Sequence, residues 1–269
     1  MNTLRGTITS AALAGLLGFA LTGCGTSTDS DTAGGTSTAA ATTAPADPKT
    51  ALIASLKELK TGNYALRVDS PETKVTGSVH VPSKSGALKM DVTSDGSSFT
   101  MELVGAAPDR WVRISSSDAA IQQLLGSDGK TWSHIDTSKV AKGGGLDIDV
   151  TNADLLGVEA LLQGVTAVKG DARTIAGTID ATKVNADDGF LDDDAIKAMG
   201  AGASSLPFTA TLDGQGRLTK LVIDAPKAGD TPAGKWAYTI SGYGEQKAQT
   251  KPAGAIKEMS AKQLEMLNS

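Results

Sequence analysis

From Tyr64 onward, apolar side chains recur at every second position, and this period limits the folds open to the chain. Phe99, Met101 and Leu103 alternate with Thr100 and Glu102. Phe208, Ala210 and Leu212 alternate with Thr209 and Thr211, and Trp236, Tyr238 and Ile240 with Ala237 and Thr239. Successive side chains of a strand point to opposite faces, so each run carries one apolar face and one wet face. An antiparallel sheet buried on one side uses such runs. Turn residues at Pro71, Pro82-Ser83, Asp95-Gly96 and Pro108-Asp109 separate them, and Asp95-Gly96 between two alternating runs signals a hairpin. Strands are expected near 64–68, 75–81, 87–92, 98–104, 111–114, 165–169 and 175–180, in "KTWSHID" and in "KWAYTISGYGE". A last hairpin, "PFTATLDGQGRLTKLVIDAP", reverses at 213–216. The total is about 10 or 11 strands.

Helical signals lie between these runs. In "DPKTALIASLKELKTG", Asp47 caps, Pro48 suits the first turn, Leu52, Leu56 and Leu59 form a stripe, and Gly62 stops the helix. A short helix is expected over 117–125. Another opens at Thr151 or Asn152 in "TNADLLGVEALLQG" and closes near Gly164, and a further short one follows "DDGFLDD". "KEMSAKQLEMLN" reads as a terminal helical or frayed piece. The class is therefore α+β. The order helix, strand, "KVTGSVH" is echoed about a hundred residues later by helix, strand, "TIAGTID", each with glycine at the strand centre, which suggests two similar halves in one continuous sheet.

The chain begins with Met1 and Arg5, an apolar stretch over 8–21, and then Cys24, its only cysteine. This grading is that of a secretory leader, too short and glycine-rich to span a bilayer. Leu21-Thr22-Gly23-Cys24 resembles the bacterial lipoprotein signal, in which the leader is cut before a cysteine that carries a diacylglyceryl group. Residues 25–46 are almost wholly Gly, Ser, Thr, Ala, Asp and Pro, a composition that cannot offset the entropy of ordering its backbone. The expected organisation is a signal peptide at 1–23, an acylated cysteine and disordered tether at 24–46, and a single folded domain at 47–269. The protein is expected outside the cytoplasm, held by its lipid to the outer leaflet of the cell membrane.

A formal charge of -5 without a basic block argues against nucleic acid and against broad contact with anionic headgroups. His80 and His134 stand far apart and no second cysteine exists, so no zinc site is expected. No GxSxG elbow and no SxxK set with partners occurs, and the chain reads as a non-enzyme without a cofactor. Asp187, Asp188, Asp192, Asp193 and Asp194 form the densest charge cluster. Calcium is one reading, but the spacing lacks the order of an EF-hand, and a solvated loop leading into a helix is the other. Gly143, Gly144 and Gly145 read as a loose connection, not a phosphate loop. Trp111, Trp132 and Trp236 read as anchors of the sheet.

Ten or more twisted strands curl, and a strongly curved sheet of that width is hard to fill with inward Val, Ala, Ile and Gly. One outcome is an apolar cavity between sheet and helices that holds acyl chains. The other is a packed core filled by Leu52, Leu56, Leu155, Leu156 and Leu162. The leader, the tether, the first helix followed by "GNYALRVD", the strands "VTGSVHV" and "IAGTID", the segment "DLLGVEALLQGV" and the late hairpin together resemble actinobacterial and mycobacterial lipoproteins of the LppX/LprAFG type. Their half-open barrel is similar to that of the carriers LolA and LolB. The resemblance covers nearly all of 47–245 and implies helices over the concave face of the sheet. It also implies a cavity that binds a multi-acylated lipid or glycolipid as cargo and carries it across the cell envelope. A membrane transporter is an implied partner, and the chain is expected to be a monomer. Carried onto this sequence by segment, it places Leu52, Leu56, Val79, Phe99, Met101, Leu155, Leu156, Ile179 and Phe208 at the cavity. The alternative function is a non-enzymatic structural or signalling surface lipoprotein that binds a protein partner.

Overall fold

The computed structural model describes residues 47–94, 96–142, 145–155, 157–184, 193–229 and 231–268; the leader, Cys24 and the tether lie outside them. The first helix, α1 (Pro48–Ala54), starts as its capping residues predict. The Asp47 carboxylate accepts from the Thr50 N–H at 3.0 Å, and Pro48 occupies the first turn. The helix is shorter than its apolar stripe suggests. Past it, the buried Ser55 hydroxyl donates to the Leu52 carbonyl at 2.6 Å, and the chain tightens into a 3-10 turn at Leu59–Thr61. Gly62, at φ +65°, then releases the chain into the sheet.

Strands β1 (Asn63–Asp69), β2 (Thr73–His80), β3 (Ser85–Ser94), β4 (Ser97–Ala106) and β5 (Asp109–Ser116) form a meander. Helix α2 (Ala119–Leu124) leads to its last member, β6 (Trp132–Ile135). Ser94 pairs with Ser97, so two residues join β3 to β4 at the expected hairpin. After α3 (Val158–Gln163), a second run follows: β7 (Val165–Gly170), β8 (Thr174–Ile179), α4 (Asp193–Met199), β9 (Leu206–Leu212), β10 (Leu218–Ala225) and β11 (Gly234–Ser241). Pairing of β1 with β11, from Ala65 opposite Ser241 to Asp69 opposite Ala237, joins both runs into one sheet. The chain closes with β12 (Ile256–Glu258) and α5 (Ala261–Leu267).

The sheet has 12 strands in the order β12-β6-β5-β4-β3-β2-β1-β11-β10-β9-β8-β7, and it is not closed: β12 and β7 are its edges. The fold is α+β, as expected, with two corrections. There are 12 strands where 10 or 11 were expected, and the sheet is not wholly antiparallel, because β12 lies parallel to β6. The parallel edge follows from the route of the chain. After β11 it passes Asn63, whose side chain accepts from the Gln246 N–H at 2.9 Å, and then Ser85, whose hydroxyl accepts from the Gln249 N–H at 2.8 Å. It reaches β6 by a crossover, and crossovers produce parallel neighbours. The terminal piece expected to be helical or frayed is thus divided between β12 and α5.

The two halves share a local device. The Val81 N–H donates to the Gly62 carbonyl at 2.7 Å, and the Asp180 N–H donates to the Gly164 carbonyl at 2.8 Å. Each bond ties the end of the second strand to the glycine before the first, and each strand runs into a 3-10 turn, at Val81–Ser83 and Ala181–Lys183. Gly77 and Gly177 sit mid-strand in β2 and β8. A side chain at Gly77 would meet the Ala87 carbonyl at 2.5 Å, and one at Gly177 would meet the Phe208 ring at 2.8 Å.

One face of the sheet, here the inner face, carries the apolar members of every alternating run. It packs into a single core with Leu52 of α1, Leu59, Leu146, Val150, Leu161 and Leu162 of α3, and Met199 of α4. The outer face is mostly polar around β3 to β6. There Glu102 pairs with Arg113 at 2.6 Å, and the Arg113 guanidinium lies 4.6 Å from the centre of the buried Trp132 ring. No helix among the described residues is long and apolar enough to cross a membrane.

Candidate functional site

The inner face contains a trough built by register. Tyr64, Val79, Gly86, Gly105 and Arg110 stand directly opposite one another on five successive strands, β1 to β5. Two central glycines remove the side chains that would fill the middle of this row. The chain from Leu146 to Ala153 lies in the gap. A β-carbon on Gly86 would collide with the Val150 carbonyl, and one on Gly105 would come 2.5 Å from a Val150 methyl group. Polar contacts hold both ends: Arg110 Nη1 donates to the Leu146 carbonyl at 3.1 Å, and the Tyr64 hydroxyl donates to the Ala153 carbonyl at 2.6 Å. Arg110 also stands 4.0 Å from Asp149.

The covering segment is irregular where a helix was expected. α3 begins at Val158 because the preceding polar side chains bond their own backbone: Asp149 accepts from the Thr151 N–H at 2.9 Å and Asn152 from the Asp154 N–H at 2.9 Å. Gly157, at φ +65°, then turns the chain, and Asp154 Oδ2 accepts from the N–H groups of Glu159 and Ala160 at 2.9 and 3.3 Å.

Two polar side-chain atoms near this cover, the Tyr238 hydroxyl on the middle of β11 and Asp154 Oδ1, are buried without a hydrogen-bond partner among the described residues. Burial raises the pKa of Asp154 against the backbone N–H groups that lower it. Burial likewise raises the pKa of Tyr64 and Tyr238, and the Asp154 charge adds to both. An enclosed space of about 10 Å³, bounded by Leu59, Tyr64, Leu66, Val158, Tyr238 and Ile240, is the size of about one water molecule.

The described residues among those placed at a cavity by sequence and resemblance belong to the core at the inner face, but none of them borders this small space. Leu52, Leu56, Val79, Met101, Ile179 and Phe208 are buried in the core; Phe99 and Leu155 are partly buried against it; Leu156 and Cys24 lie outside the described residues. In this arrangement α1, the covering segment and α3 occupy the inner face. Phe208 also borders an open depression of about 460 Å³ with Ala167, Lys169, Ala176 and Thr178. Asp154, Tyr64, Arg110 and Tyr238 were not among the site residues expected from the sequence. Inward glycines at 86 and 105, in register with Arg110, are the pattern that marks the trough.

The remaining candidates do not converge. His80 Nδ1 lies 2.5 Å from the Ser83 hydroxyl, and His134 stands between Asp109 and Glu258 at the far edge of the sheet. No group of three metal-ligating side chains occurs among the described residues. Of the aspartate cluster, Asp187, Asp188 and Asp192 lie outside the described residues, and Asp194 is exposed beside Lys197 at 3.4 Å. Gly143 and Gly144 also lie outside, and Gly145 is exposed. No protein-family description and no curated protein sequence matches this chain.

Proposed function

We propose that the protein is a membrane-anchored lipid carrier of the LppX/LprAFG kind, in which acyl chains lie between the inner face of the sheet and the segment that covers it. The carrying observation is that a continuous apolar face across the sheet is closed at the trough by an irregular segment seated on two glycines, not by a long helix or a second sheet. In this reading the sheet curves as a half-open barrel, and the arrangement described is the unloaded one. Leu146 and Val150 occupy the places that cargo takes.

Magnitudes set the terms of the exchange. Exposing the Leu146 and Val150 side chains costs about 1.5 to 3 kcal/mol each. An acyl chain of about 16 carbons keeps methylenes worth roughly 0.8 kcal/mol each out of water, about 12 kcal/mol in all, so it leaves a bilayer only for an apolar site that covers it as fully. Leu52, Leu56, Val79, Phe99, Met101, Leu155, Leu156, Ile179 and Phe208 are the proposed wall, and Cys24 is the proposed anchor. The alternative of a protein-binding surface lipoprotein draws on α2, where Leu124 and Ile121 are 60% and 39% exposed.

A cross-link tests the carrier reading. With Gly105→Cys and Val150→Cys, oxidation pins the cover to the sheet. The oxidised protein is expected to take up no acyl lipid from vesicles, and reduction restores uptake. Equal uptake in both states contradicts the proposal.

A further inference from the structure

We infer that β12 and α5 form a strap that catches the chain where it enters the cover, with His134 fastening the strap to the sheet. The inference goes beyond the carrier reading, since it concerns how the cover is held and not what the trough takes up.

The end of α5 grips the approach to the cover. Asn268 accepts from the Ala141 N–H at 2.9 Å and donates to the Lys139 carbonyl at 2.9 Å, so one side chain holds two points of that approach. The Leu267 carbonyl lies against Gly145, where a β-carbon would stand 3.3 Å from it. Leu146, the first residue of the cover, follows directly. Tyr64 and Arg110 hold the cover from within the trough, and α5 holds its approach from outside.

Everything that fastens the strap is peripheral. None of residues 251–268 is buried. β12 spans three residues, bracketed by two backbone bonds: the Trp132 N–H donates to the Ala255 carbonyl and the Met259 N–H to the His134 carbonyl, both at 2.9 Å. α5 has seven residues, too few to persist alone, and relies on a capping box between Ser260 and Gln263. Gln263 Nε2 donates to the Leu125 carbonyl at 2.8 Å, and Lys257 Nζ donates to the Gly126 carbonyl at 3.2 Å. Met259, Leu264 and Leu267 are only partly buried against the core. Few buried apolar contacts and solvent-exposed backbone bonds mark a unit that opens before the rest of the sheet.

His134 supplies the charged fastening. From β6 its Nδ1 lies 3.0 Å from Glu258 on β12 and its Nε2 lies 3.0 Å from Asp109 on β5, with the Trp111 ring beside it at 5.9 Å between centres. A protonated imidazole donates to both carboxylates at once, whereas a neutral one donates to a single partner. Lys139, the other charge that Glu258 influences, is held first by Asp136 at 2.9 Å. The strap is therefore tighter when the ring is protonated and looser when it is neutral.

The test follows hydrogen exchange by mass spectrometry in the full chain, without added lipid and corrected for intrinsic rates, at pH 6 and pH 8. Wild-type exchange across 146–153 is expected to be faster at pH 8 by up to about fivefold, the reach of a partly exposed ion pair. Asn268→Ala is expected to speed exchange across 146–153 about tenfold at both pH values, the ratio that one net hydrogen bond supplies, while 174–179 and 206–212 keep their rates. His134→Gln is expected to remove the pH difference across 146–153. A wild-type rate across 146–153 in Asn268→Ala overturns the catch, whatever α5 itself does, and so does a rise shared equally by 174–179 and 206–212. A pH difference across 146–153 that is missing from the wild type, or that survives in His134→Gln, overturns the fastening by His134. No cargo enters the experiment, so each of these failures leaves the carrier reading standing.

Discussion

The Val150 carbonyl lies over Gly86 in the space that a β-carbon would fill, so cover and sheet meet backbone to backbone. Contact this close is open only to glycine, and it makes the position a sensitive handle on the cover. Gly86→Ala is expected to lift the segment, lower stability by about 1 to 3 kcal/mol and increase the binding of a hydrophobic dye. Chemical denaturation and dye fluorescence check this. A variant with wild-type stability would show that the contact yields without cost.

Arg110 is mostly buried and spends its guanidinium on the Leu146 carbonyl, with Asp149 nearby. Removing a charged donor from a buried carbonyl costs about 1.5 to 3 kcal/mol. Arg110→Ala is expected to destabilise the fold by that amount and to speed hydrogen exchange across 146–153 before the rest of the sheet, a localisation that exchange mass spectrometry resolves.

His134 joins the crossover strand to the sheet. Its Nδ1 lies 3.0 Å from Glu258 on β12, and its Nε2 lies 3.0 Å from Asp109 on β5. The Glu258 bond chiefly raises the imidazole pKa above 6.5, with Asp109 adding and burial opposing. A raised folded-state pKa stabilises fully below about 6.5 and ceases to do so as pH rises through the folded value. The side chain is 26% exposed, which limits the effect to about 1 kcal/mol. Amide exchange of β12, corrected for intrinsic rate, is therefore expected to be slower at pH 6 than at pH 8, and His134→Gln is expected to remove the difference.

In the proposed reading, Cys24 is the residue that sets the localisation. Cys24→Ser is expected to move the protein from the membrane fraction to the soluble extracytoplasmic fraction while leaving the melting curve of the folded domain unchanged. Retention of the variant in the membrane fraction contradicts the anchor.

Which features could be read from the sequence depended on how local their causes are. A period of two assigns faces without knowledge of partners, so Val79, Met101, Ile179 and Phe208 could be set on one side before any pairing was known. The tight reversals at Gly96 and Gly216, at φ +79° and +78°, carry their own turn chemistry. Features made by distant residues were not legible. β12 is three residues with no apolar face to set its period, and it forms only because the crossover brings it to β6. α3 lost its expected first turns to the side chains of Asp149 and Asn152, which bond locally better than a helix could. Alternation marked Tyr238 as inward but could not show that its hydroxyl would be buried without a hydrogen-bond partner among the described residues.

Native mass spectrometry of the full chain, isolated from its own membrane in mild detergent, tests the central claim most directly. The account predicts a species heavier than the acylated chain by the mass of one lipid, released when the protein is denatured. A single species at the mass of the acylated chain alone would contradict it.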